Sequence, residues 1–187
     1  MRRLIDNYPG LNGEFVPLSP TANIPAGNNR CITTVIAVYD LVRAIALPAG
    51  SRERKTLELG PPDFQRIEEV YRIAVGFWDT LKKDIRPISQ VLSSKPEDEK
   101  AGRFRTESGG HVLFRPVGMQ SFARAARIMV DRGEKLGNVV AKLSTVPLQL
   151  TDEPWVGVLW NTSTKTMVLK ICKARGEPFS PYGGGKA

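Results

Sequence analysis

The chain has 187 residues, enough for one domain with a real core, and its 41% hydrophobic and 25% charged residues are ordinary for a globular protein. Apolar runs such as Ile36-Ala37-Val38-Tyr39 are far too short to cross a bilayer, and MRRLIDNYPG lacks the apolar stretch and cleavage site of a signal peptide, so the expectation is a cytoplasmic protein with no membrane partner. The net charge of +8 is unevenly placed: residues 101–187 hold 13 lysines and arginines against 6 acidic residues, while residues 1–100 are nearly balanced.

Residues 1–30 are punctuated by NYPG, VPLSP and NIPAGNN, which predicts an extended N-terminal segment and not a helix. A mainly α domain follows over residues 31–174, with at most a few short strands. Thr33 or Thr34 is placed to cap a helix whose apolar Val35, Val38, Leu41, Val42 and Ile45 recur at three- and four-residue steps, ending near Leu47 before Pro48 and Gly50. SRERKTLELGPPD reads as a polar connector with Pro62 in the first turn of the next helix. From Asp63 to about Ile85, a stripe from Phe64 and Ile67 through Tyr71, Phe77 and Trp78 to Leu81 predicts a long core-facing helix. Lys82 and Lys83 suit its C-terminus, and Pro87 stops it.

A short helical piece spans Ile88 to Leu92. The charged segment at about 93–110 is poor in apolar residues and predicts a mobile loop. Val112-Leu113-Phe114 predicts a small strand or extended stretch. Pro116 then opens a helix to about Arg132, with Gly133 behind it. On that helix Met119, Phe122, Ala126 and Met129 share one face, which leaves Gln120, Arg124, Arg127 and Asp131 on the opposite, wet face. Further helices are predicted over Glu134 to Val146 and Lys165 to Ala174, with 175–187 a loose tail.

Catalytic chemistry finds little support. His111 is the single histidine, and neither a nucleophile nor an orienting carboxylate stands at recognisable spacing, so beside Gly109-Gly110 it reads as a loop or surface residue. No GxxxxGK[ST] or GxGxxG occurs. Cys31 and Cys172 have no CxxC or Cys/His companions and read as buried or half-buried thiols, so neither a metal nor a cofactor is expected. The basic set is different in kind. Arg103, Arg105, Arg115, Arg124, Arg127, Arg132, Lys135 and Lys142 fall within forty residues, around a helix start that presents backbone N–H groups, and are the candidate phosphate-binding residues. Arg115, directly before Pro116, has two readings: phosphate contact, or a corner tie that pairs with a carboxylate or caps carbonyls.

Four stretches, Asn28-Asn29-Arg30, VGFWDTLKKDI at 75–85, LFRPVGMQSF at 113–122 and EPWVGVLWN at 153–161, resemble the C-terminal half of the DGQHR-domain family, the DndB-like proteins of DNA sulfur modification. The DGQHR signature, which that family carries in an N-terminal ParB-like core, is absent, so no activity of that half carries over. The resemblance implies association with DNA, as a regulator or accessory factor of a DNA-modification or defence system. The matching Phe77, Trp78, Arg115, Pro116, Gly118 and Trp155 are expected to be mainly structural. The reading is a non-enzymatic DNA-associated protein. Its alternative is a module that docks on a separate DGQHR-containing partner without touching DNA.

Overall fold

The computed structural model describes residues 2–11, 13–24, 27–47 and 63–168, with the backbone of two further short strands at 171–172 and 177–178. The connector carrying Pro62, most of the tail and the thiol of Cys172 lie outside the described residues. The architecture is mainly helical.

The N-terminal segment departs from expectation. Arg2–Asn7 forms a helix, α1, because Leu4, Ile5 and Tyr8 share a face that is buried against the long helix of the domain. Six residues cannot hold a helix in water without help. Burial of that face supplies the help, which propensity and punctuation do not reveal. Gly10 (φ +89°) turns the chain against Leu92, whose carbonyl oxygen would lie 2.7 Å from an added Cβ. Leu11, Phe15 and Val16 then enter the core.

Helix α2 (Val35–Ala46) starts at Thr34, whose hydroxyl accepts from the Ala37 amide at 3.3 Å. Helix α3 (Phe64–Asp84) starts at Asp63, whose carboxylate accepts from the Arg66 amide at 2.7 Å, and ends with Lys82 and Lys83 in its last turn, favourable to the helix dipole. Helix α4 (Arg86–Leu92) follows at once. Helices α5 (Pro116–Asp131) and α6 (Leu136–Leu143) complete the bundle: α2 rests on α3 and α5, and α6 on α3 and α5. Phe77, Trp78 and Leu81 of α3 meet Leu41 and Ile45 of α2 and Met119 and Phe122 of α5 in one core. The apolar stripe of α3 is not covered along its whole length. Ala74 to Leu81 is buried, whereas Phe64 is 75% exposed and Ile67 42%.

Residues 93–110, expected as a mobile loop, carry 3-10 turns at Pro96–Asp98 and Lys100–Phe104. Ala101 is buried, and the Gly102 amide donates to the Asn29 carbonyl at 2.9 Å. Anchorage by backbone hydrogen bonds needs few apolar side chains, so composition did not signal it. Where residues 165–174 are described, they form strands and not the helix expected over Lys165 to Ala174. Trp160–Asn161 (β1) pairs antiparallel with Thr166–Met167 (β2), and Ile171–Cys172 (β3) with Glu177–Pro178 (β4). The Asn161 side chain accepts from the amides of Ser163 and Thr164, and Lys165 takes φ +52° to close the turn. A threonine-rich stretch with a side-chain-stabilised turn favours this hairpin over a helix.

Candidate nucleic-acid interface

The corner from Phe104 to Gly118 organises the basic half. Gly109 (φ +120°) and Gly110 (φ +77°) reverse the chain, and an added Cβ on Gly110 would sit 2.3 Å from the Phe104 carbonyl oxygen. The His111 amide donates to that carbonyl at 2.8 Å, and the Leu150 amide to the Gly110 carbonyl at 2.9 Å. Val112–Phe114, expected as a strand or extended stretch, forms a 3-10 turn after the isolated bridge from His111 to Gln149. Pro116 then opens α5, and Gly118 sits so close that a Cβ there would meet the Val112 carbonyl oxygen at 2.3 Å.

His111 is not a surface residue. It is 3% exposed, its Nδ1 accepts from the Leu113 amide at 3.2 Å, and its ring stands edge-on to Phe104 and Phe114. Burial lowers its pKa from 6.5 to about 4, so at neutral pH it is an uncharged part of the core. The glycine pair and a neighbouring aromatic were in view in the sequence. Their closure around the ring depends on the distant strand-like partners at 148–150.

Two of the eight candidate cations are turned inward. Arg105 donates through Nη1 to the Cys31 carbonyl at 2.7 Å and through Nη2 to the Asn28 carbonyl at 2.5 Å, tying the corner to the N-terminal segment. Arg115 donates to the Gly109 carbonyl through Nε at 3.2 Å and Nη2 at 3.0 Å, and to the Thr106 carbonyl at 3.2 Å; its guanidinium lies 5.8 Å from the Trp160 ring centre. Carbonyl capping, one of the two readings of Arg115, is the contact observed. Burial lowers both pKa values, that of Arg105 to about 10, with the nearby charge of Arg115 as the second cause. Both guanidinium groups have carbonyl partners in the structure.

Helix α5 corrects a third. Gln120 is buried and Arg127 is only 19% exposed, so the face expected to be wet is partly an interface. The reason is that α5 is packed by α2 on one side and α6 on another, with Ala123 and Ala126 allowing close approach. Arg127 donates to the Ile45 carbonyl in the last turn of α2 at 3.4 Å and pairs with Asp131 one turn on; its Nε, also buried, has no protein partner. A cation there suits the negative end of the α2 dipole. Arg124 is half-buried.

Arg103, Arg132, Lys135 and Lys142 are exposed. Arg132 and Lys135 flank Gly133 (φ +94°) in the turn from α5 to α6, and Lys142 reaches back to Glu134 of the same turn at 2.5 Å. Arg103 stands apart, beside Lys100 and Phe104 on a cavity of about 170 Å³. Of the residues expected to be structural, Phe77 and Trp78 are in the core, Pro116 opens α5, Gly118 lies against Val112, and the Trp155 indole donates to the Pro147 carbonyl.

Among the described residues no group of three or more His, Cys, Asp or Glu is placed to hold a metal ion, and no helix is long and apolar enough to cross a membrane. These features define a mainly helical domain with an arginine-tied corner and a smaller exposed basic set at its α5–α6 end. No family model, curated protein or solved structure matches the chain.

Proposed function

We propose that this protein is a non-enzymatic DNA-associated domain that contacts phosphates through its second half, chiefly Arg132, Lys135 and Lys142 at the α5–α6 end. The observation that carries the reading is the charge asymmetry: residues 101–187 hold 13 cationic against 6 acidic residues. A one-sided basic surface concentrates polyanions, and a duplex is the densest one available to it. Arg105 and Arg115 are assigned to the scaffold because their donors face carbonyls, and Arg127 because its guanidinium is held by the Ile45 carbonyl and the Asp131 carboxylate. The resemblance to the DGQHR-domain family points the same way, toward a regulator or accessory factor in DNA modification.

The test is fluorescence anisotropy with a labelled duplex across a salt series. Each phosphate contact adds about 0.9 to the log–log slope, so the wild type should fall with a slope of roughly 3 to 4. Arg132→Ala with Lys135→Ala should lower that slope by about 2 without changing the thermal melt. Absence of binding at low salt overturns the reading.

A further inference from the structure

The 3-10 turn Lys100–Phe104 rests on helix α4, and between them lies a cavity of about 170 Å³ lined by Gln90, Lys100, Arg103 and Phe104. Side chains three residues apart eclipse in a 3-10 turn, so Lys100 and Arg103 leave the backbone on one side. The turn is held from behind. Ala101 is buried, the Gly102 amide donates to the Asn29 carbonyl, and the Asn29 side chain occupies the place a Cβ on Gly102 would take. Phe104 is half-buried: Phe114 stacks on it with ring centres 4.8 Å apart, and Phe104 also lines the cavity.

The two cations differ. Lys100 stands 3.6 Å from Asp98 with both side chains well exposed, a pair that solvent screens, and Asp98 also accepts from the Lys95 amide at 3.3 Å. Arg103 is exposed and makes no hydrogen bond or ion pair with a described residue, so its planar fork of donors is open to an oxyanion.

We propose that this cavity binds a single nucleotide unit, with the phosphate on Arg103 and Lys100, the base on Phe104 and the base edge on Gln90. Two cations at one mouth select the phosphate, and an aromatic wall selects a ring to stack on it. The Gln90 amide both donates and accepts, as the edge of a base does. Size sets the limit. A cavity of about 150 Å³ admits benzene, so this one admits one base ring and excludes a duplex or a protein segment. The base must therefore be unpaired, in a free nucleotide or in a single strand. The site shares no residue with the α5–α6 set and does not rest on the duplex reading.

The experiment is an amide NMR titration of the full chain with thymidine monophosphate. The amides of residues 100–104 and of Gln90 should shift, and thymidine or inorganic phosphate alone should bind about tenfold more weakly, each lacking part of the contacts. Arg103→Glu should weaken binding about tenfold or more, and Gln90→Ala about threefold. Both side chains are exposed, so the thermal melt should not move; if Arg103→Glu lowers it, Arg103→Gln carries the same test. Tighter binding of a four-thymidine strand at the same amides assigns the site to single-stranded DNA, and equal or weaker binding assigns it to the free nucleotide. Unmoved amides at about 10 mM nucleotide, where a site of 1 mM affinity is about nine-tenths filled, would overturn the proposal. So would inorganic phosphate matching the nucleotide, which marks an adventitious ion only, or binding indifferent to both variants. Shifts confined to residues 132–142 would overturn it too and leave the duplex reading standing.

Discussion

Acidification should destabilise this protein through one identifiable side chain. His111 is buried at the corner with its pKa lowered from 6.5 to about 4 by burial, and its Nδ1 lone pair accepts a backbone hydrogen bond that a proton there would abolish. The unfolded chain therefore takes up a proton first as pH falls. Folding stability is complete above about pH 6.5, declines through the window down to about pH 4, and levels off below it, where both states are protonated. With those two values the loss between pH 7.5 and pH 4.5 is about 2–3 kcal/mol, which for a chain of this size lowers the melting temperature by roughly 5 to 10 °C. Carboxylates also titrate there, so the comparison is with His111→Asn, whose amide oxygen supplies an acceptor near the Nδ1 position without the titration. Urea unfolding of both proteins should give stabilities that converge by about 2–3 kcal/mol as pH falls. Because the chain has one histidine, its imidazole proton resonance reports the same group directly. Parallel stability curves for the two proteins, or an imidazole midpoint near 6.5, would refute the argument.

Three further substitutions probe the corner and the helices. Arg115→Lys keeps the charge but reaches one carbonyl where the guanidinium makes three contacts to Gly109 and Thr106, so denaturant unfolding should show a loss of about 1–3 kcal/mol. Gly118→Ala tests close packing by its sign. Helix propensity alone favours alanine by about 1 kcal/mol, yet the new Cβ would meet the Val112 carbonyl oxygen at 2.3 Å, so the net change should be destabilising by about 1–3 kcal/mol. Gly76→Ala in α3 meets nothing within 4 Å of the added carbon apart from its own helix backbone and chain neighbours and should instead stabilise, by up to about 1 kcal/mol in the same assay.

The sequence by itself determined the features that depend on near neighbours along the chain. The Thr34 cap, one of the two threonines offered, the ends of α2 and α3, and Pro116 at the first turn of α5 follow from local hydrogen bonding and fixed φ and stand where periodicity and punctuation placed them, whereas α3 is capped by Asp63 and so starts after Pro62, which was expected in its first turn. The mainly helical class follows from the same signals. The direction in which a polar side chain turns was not legible, because that depends on what arrives from elsewhere in the chain. Arg105 faces carbonyls 74 and 77 residues away, and Arg127 one that is 82 away. Helix α1 and the turns of residues 93–110 form for the same reason, being held by distant partners. The far half of the α3 stripe looks like core in sequence and stands exposed because no described helix covers it. Local sequence decides whether a helix exists; only tertiary packing decides which of its faces is buried.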